Sequence, residues 1–123
     1  MAKKVLVVED YQEYRVVIQH VLTPKGFEVF EAKDGEAGLR AAKEHKPDVI
    51  ILDLGLPKMS GVEVLEELMK DPELAKIHVI VATANDDEES IRTVTRLGVT
   101  NYLTKPYTPG EIMEAVRIIA PKA

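Results

Sequence analysis

Three short runs of almost unbroken Val, Ile and Leu dominate the chain: Val5-Leu6-Val7-Val8, Val49-Ile50-Ile51-Leu52 and Val79-Ile80-Val81-Ala82. A strand that is apolar at every position needs cover on both faces, which is the situation of a parallel strand inside an α/β sheet. Two more mixed runs, around Val29 and Tyr102, read as edge strands. The strand signals fall at 4–9, 27–32, 48–54, 78–84 and 100–105, and each is followed by a helical stretch.

The helical stretches carry their own punctuation. Tyr14, Val17, Ile18, Val21 and Leu22 recur at the spacing of an amphipathic helix, which Pro24 and Gly26 end early. Asp34-Gly35-Glu36 opens a small-residue helix running to about His45. Ser60 with Glu63, and Asp86 with Glu89, have the spacing of capping boxes, and Gly98 follows the second of these helices. Thr108, Pro109 and Glu111 fit the N-cap, N1 and N3 positions of a last helix carrying Ile112, Ala115, Val116 and Ile119. A strict (βα)5 alternation with short loops implies an α/β doubly wound open parallel sheet with right-handed crossovers. A closed barrel needs eight such units.

Composition narrows the function classes. A chain of 123 residues, 46 % apolar and 30 % charged, fits one soluble domain with a core of its own. Without cysteine there is no disulfide framework and no thiolate chemistry, which fits a reducing cytoplasm. The net charge of −5 disfavours direct nucleic-acid binding, and no apolar run approaches a membrane span. Met-Ala-Lys-Lys leads straight into a strand, so no signal sequence is expected, and with Pro121-Lys122-Ala123 just after the last helical stretch no second domain is expected. His20, His45 and His78 lie on separate elements without ligand spacing and are expected at the surface.

The chemistry gathers at the ends of the apolar runs. Glu9-Asp10 close the first, Asp53 the third, Thr83 the fourth, and Lys105 follows the fifth. In an open parallel sheet those ends share one rim, where ligand sites lie. Carboxylates, a hydroxyl and a lysine together suit a divalent cation and a phosphoryl group. Singly, each residue has an ordinary reading: Glu9-Asp10 as a helix cap, Asp53 as a turn residue, Thr83 as a strand residue and Lys105 as a solvated lysine.

The ordered set of motifs resembles a receiver domain of the response regulators, the CheY-like phosphorylation switches of two-component signalling. It comprises Val7-Val8-Glu9-Asp10, Asp34-Gly35, Pro47-Asp48 and Ile51-Leu52-Asp53-Leu54-Gly55-Leu56-Pro57-Lys58-Met59-Ser60-Gly61. Val81-Ala82-Thr83-Ala84, Gly98-Val99-Thr100-Asn101-Tyr102 and Lys105-Pro106 continue it across essentially the whole chain. The resemblance implies the flavodoxin-like strand order 2-1-3-4-5 and a single receiver domain over 1–123 without an output domain. It implies a phosphoacceptor at Asp53, and Mg²⁺ (or Mn²⁺) held by Glu9, Asp10, Asp53 and the Gly55 carbonyl. Lys105 and Thr83 would meet phosphoryl oxygens, and Lys105-Pro106 would be a cis peptide. Thr83 and Tyr102 would form the switch.

The same resemblance implies a sensor histidine kinase or phosphotransfer protein as donor and a downstream protein as target. It implies no turnover enzyme, although the domain promotes its own phosphorylation and dephosphorylation. Tyr11, Tyr14 and Tyr107 flank the acid pocket and are expected to anchor a partner, with Tyr14 also on the apolar helix stripe. Departures from the pattern are Glu9 in place of the more usual aspartate, Gly55 and Asn85. The last two stand at positions that tune phosphoryl lifetime in the family. Competing readings are a flavodoxin-like cofactor carrier, which Glu9-Asp10 opposes, and an aspartyl phosphatase, which lacks a second carboxylate at Gly55. A phosphorylation-independent pseudo-receiver, acting as an interaction module, is the remaining alternative.

Overall fold

The computed structural model describes residues 3–84 and 88–119. Its elements follow the alternation: β1 (Lys4–Val8), α1 (Gln12–Leu22), β2 (Glu28–Ala32), α2 (Gly35–His45), β3 (Val49–Asp53) and α3 (Gly61–Met69). They continue with β4 (His78–Thr83), α4 (Glu88–Arg96), β5 (Asn101–Thr104) and α5 (Pro109–Ile119). All strand pairings are parallel, in the order β2-β1-β3-β4-β5. The mixed runs are therefore the two edges, as their composition indicated.

Side-chain alternation along each strand divides the core into two layers. Leu6, Val8, Ile50, Leu52 and Val81 face one way and pack with Ala42 of α2, Val64, Leu65 and Leu68 of α3 and Val94 of α4. Val5, Val7, Val49, Ile51, Ile80, Ala82 and Leu103 face the other way, against Ile18 and Leu22 of α1 and Ile112 and Val116 of α5. Burying each large aliphatic side chain contributes about 1.5–3 kcal/mol, so the three central strands anchor the domain.

Local signals place the element ends. Helix α1 stops at Leu22, and a 3₁₀ turn over Thr23–Lys25 with Pro24 near its start leads to Gly26 at φ 96. Ser60 and Glu63 form a reciprocal capping box on α3. Thr108 and Glu111 exchange the same pair of bonds at the start of α5, at 2.8 and 3.1 Å. The cap expected from Asp86 lies outside the described residues, as do Asn85 and Pro121-Lys122-Ala123. Gly98 sits just beyond α4 at φ 107, the left-handed conformation of a helix terminator.

One packing detail bears on everything at the carboxyl rim. Gly61 opens α3 directly behind the end of β3, and its N–H donates to the Leu54 carbonyl at 3.0 Å. A Cβ at this position would stand 2.3 Å from the Asp53 carbonyl oxygen and 2.6 Å from the Leu54 Cα. Both are backbone atoms and cannot step aside like a side-chain tip. Gly61→Ala is therefore expected to destabilise the domain by about 1–3 kcal/mol, the usual cost of overpacking. Gly110→Ala, whose nearest new neighbour lies 3.8 Å away, should be neutral or mildly stabilising in its helix. Urea denaturation of both variants checks the contrast.

Candidate functional site

The parallel register brings the ends of β1, β3, β4 and β5 to one rim of the sheet. Asp53 is the last residue of β3 and Glu9 follows β1; they are 7 % and 2 % exposed. Thr83 ends β4 and is equally buried, and its carbonyl accepts the Lys105 N–H at 2.8 Å. The Lys105-Pro106 peptide is cis. Asp53, Gly55, Thr83, Lys105, Tyr11 and Tyr14 line one cleft of about 480 Å³.

Carboxylate oxygens of Glu9, Asp10 and Asp53 all lie within 4.8 Å of one another. The Lys105 Nζ stands among them, 2.6 Å from Glu9 Oε1 and 3.3 Å from Asp53 Oδ2. Tyr11 N–H donates to Glu9 Oε2 at 3.1 Å, and Gly55 N–H to Asp53 Oδ1 at 3.3 Å. Three acids thus face one ammonium. Burial pushes the Glu9 carboxyl up to about 7; the Lys105 hydrogen bond opposes this, and the Asp53 charge reinforces it. Burial pulls on Lys105 in the other direction, but the Glu9 hydrogen bond and the two carboxylate charges more than offset it, so its pKa is raised.

The acids are not spent on capping. The N-cap position of α1 is Tyr11, whose side chain makes no capping bond. Asp10 Oδ1 is buried without a hydrogen-bond partner among the described residues. A buried acceptor in that condition costs free energy unless water or a cation meets it. An all-oxygen donor set with one orphaned oxygen fits a hard divalent ion such as Mg²⁺. At Gly55 a Cβ would meet nothing within 4 Å, so the space beside Asp53 is open on that side.

Other expected residues fall differently. Tyr11 is 58 % exposed and Tyr14 half-buried, but Tyr107 is only 8 % exposed, which corrects its expected role as a surface anchor. It packs against Tyr14 with ring centroids 5.0 Å apart and belongs to the α1/α5 core layer. Burial, reinforced by nearby Glu9, holds its phenol above the usual range. Tyr102 is 37 % exposed, its hydroxyl hydrogen-bonded to the Thr95 hydroxyl and, at 2.9 Å, to the Val99 carbonyl. His20 and His78 are exposed, and His45 is half-buried, stacked on Phe30 at 3.9 Å.

Sequence reasoning missed Arg15. Its Nη1 donates to the Glu9 carbonyl at 2.7 Å and its Nε to Glu31 Oε1 at 2.9 Å, pinning the end of β1. Asp34-Gly35 belongs to the supporting structure. Asp34 caps α2 through Ala37 N–H at 2.8 Å and pairs with Lys58 at 3.6 Å. Gly35 lies where a Cβ would stand 2.0 Å from the Met59 carbonyl oxygen.

An open parallel sheet in the order 2-1-3-4-5, flanked on both faces by helices, is the flavodoxin-like arrangement that CheY-like receivers share. The family model described as "Response regulator receiver domain" matches residues 5–117, so the chain belongs to that family. Among relatives it is 38 % identical over 119 residues to the alkaline phosphatase synthesis transcriptional regulatory protein PhoP of Bacillus subtilis. That match covers 97 % of this chain and 49 % of PhoP. With chemotaxis protein CheY of Thermotoga maritima it shares 31 % identity, covering 98 % of this chain and 99 % of CheY. The chain thus spans about half of the first relative and nearly all of the second. The structure of chemotaxis response regulator CheY4 of Vibrio cholerae superposes with a TM-score of 0.90 at 28 % identity, covering 97 % and 99 % of the two chains. Receiver domains serve two-component signalling as phosphorylation switches and bind Mg²⁺ at an acidic pocket.

The raised Glu9 pKa sets a direction for stability against pH. Glu9 holds its proton in the folded state up to about 7, against the ordinary value of 4.5. Between those values the unfolded state loses the proton first, so this group's contribution falls as pH rises and levels off above about 7. Relative to wild type, Glu9→Gln should therefore gain stability from pH 4 to pH 8, read as urea midpoints in the presence of a chelator.

Proposed function

We propose that this receiver domain is phosphorylated on Asp53 by a histidine kinase or phosphotransfer protein. The carrying observation is the Lys105 ammonium held between Asp53 and Glu9 inside a carboxylate cluster at the carboxyl rim. A carboxylate oxygen of Asp53 forms a bond to phosphorus as the donor's P–N bond breaks, and the electron pair leaves with the imidazole. The product is an acyl phosphate. Bringing an anionic donor to this cluster requires positive charge, of which Lys105 supplies one unit. Glu9, Asp10, Asp53 and the Gly55 carbonyl would hold Mg²⁺, which supplies the remaining neutralisation when bound. The buried, unpartnered Asp10 Oδ1 supports that assignment.

The acyl phosphate adds close to two negative charges and three acceptor oxygens. Lys105 pairs with one oxygen and the Thr83 hydroxyl donates to another. The output is a change in the Thr83/Tyr102 face that alters binding of a downstream protein or passes the phosphoryl group along a relay. Arg92, Arg96, Glu111, Glu114 and Arg117 give this side mixed charge, which suits a protein partner. The domain promotes its own chemistry once per phosphoryl group and is a switch, not a turnover enzyme.

Intact mass after incubation with Mg²⁺ and acetyl phosphate tests the reading. Wild type should gain one phosphoryl group; Asp53→Ala, or wild type without Mg²⁺, should gain none. Asp10→Ala should lose most of the gain while folding normally. No gain in wild type, together with unchanged spectra on adding beryllofluoride and Mg²⁺, would sink the phosphoacceptor assignment and favour a pseudo-receiver.

A further inference from the structure

The Lys105 ammonium has a neighbour that the acid cluster does not account for. Its Nζ lies 4.5 Å from the centroid of the Tyr14 ring and 5.6 Å from that of Tyr11. The Lys105 side chain is only 10 % exposed, so this contact is largely out of water. An aromatic face attracts a cation through its quadrupole, most strongly when the pair is desolvated. The Tyr14 ring is itself held in place. Tyr107, buried in the α1/α5 layer, packs on it at 5.0 Å, and Tyr11 meets it edge-on at 6.5 Å. Amphipathic spacing accounts for Tyr14 being half-buried in the first turn of α1, but not for its ring meeting an ammonium.

A lysine is a compact charge on a flexible four-carbon stem, with much rotamer freedom to lose. Three clustered carboxylates attract it without fixing one position, because charge attraction carries little direction. A ring wall on the remaining side removes the alternatives. We propose that Tyr14 is a positioning residue for Lys105. Its ring, backed by Tyr107, confines the ammonium beside Glu9 Oε1 and Asp53 Oδ2, where an arriving phosphoryl group meets it. The catalytic consequence rests on the phosphoacceptor reading above; the placement of the ammonium does not.

The test uses the full chain and two readouts. Tyr14→Leu keeps apolar bulk and removes the ring, whereas Tyr14→Phe keeps the ring and removes the hydroxyl. The rate of phosphoryl uptake from acetyl phosphate with Mg²⁺ should fall about two- to thirty-fold in Tyr14→Leu, the range from an exposed to a desolvated cation–π contact. In Tyr14→Phe it should stay within about twofold of wild type. In a Lys105→Met background, Tyr14→Leu should cause no further loss, because the group it acts through is gone. A loss that persists undiminished in that background would show Tyr14 acting on the fold instead, and would overturn the proposal.

The second readout needs neither metal nor phosphodonor. The Lys105 ε-methylene protons, close to the Tyr14 ring, should show ring-current shifts in the NMR spectra of wild type and Tyr14→Phe. Those shifts should collapse in Tyr14→Leu under conditions where its urea curve shows it fully folded; identical shifts in all three proteins would also overturn the proposal. If wild type took up no phosphoryl group, the phosphoacceptor reading would fail while the NMR comparison still decided whether the Tyr14 ring lies against the Lys105 side chain.

Discussion

Everything at the carboxyl rim depends on one electrostatic imbalance: three clustered carboxylates against a single ammonium. Lys105 reaches from beyond the last strand to Glu9 at the end of β1 and Asp53 at the end of β3, spanning the sheet across β4. Buried ion pairs of this kind contribute little net stability, because desolvation offsets most of the attraction. Their value here lies in chemistry. The cluster sets three acids against one ammonium and includes an Asp10 oxygen without a hydrogen-bond partner among the described residues, which fits a further cation. Burial raises the Glu9 pKa, and the nearby Asp53 charge adds to it.

The site is held from behind by backbone contacts rather than by a second polar shell alone. Gly61 lets α3 start against the Asp53 carbonyl, and Gly35 lets α2 start against the Met59 carbonyl. Arg15 clamps the Glu9 carbonyl from α1 while pairing with Glu31 on β2. These contacts brace the end of β1 from α1 and β2, and the end of β3 from α3. Acidic side chains held at strand ends are placed more exactly than residues on free loops.

Much of this was legible in the chain. Unbroken Val/Ile/Leu runs identified the central strands because only a strand covered on both faces tolerates such a pattern. Edge strands were recognisable by their mixed composition. Caps at Ser60 and Thr108 were readable because their partners lie three residues away. The gathering of Glu9, Asp10, Asp53, Thr83 and Lys105 at one rim followed once parallel strands were inferred, since parallel strands end on the same side. By contrast, the burial of Tyr107, the Arg15 clamp and the close approach at Gly61 were not legible. Periodicity tells which face of a helix is apolar, not which distant residue that face will meet.

The sequence by itself determined the element types, their succession along the chain, an open parallel sheet and the groups brought to its rim; the sheet order 2-1-3-4-5 was implied only by the family resemblance. Those are local or topological properties, set by side-chain pattern and by the handedness of short crossovers. Only the tertiary structure decided how the groups meet: the ammonium between Glu9 and Asp53, the Tyr14 ring against it, and the buried oxygen of Asp10. These depend on separations of a few ångströms between residues far apart in the chain. Such separations come from the packing of helices on both sheet faces, which no short-range pattern encodes.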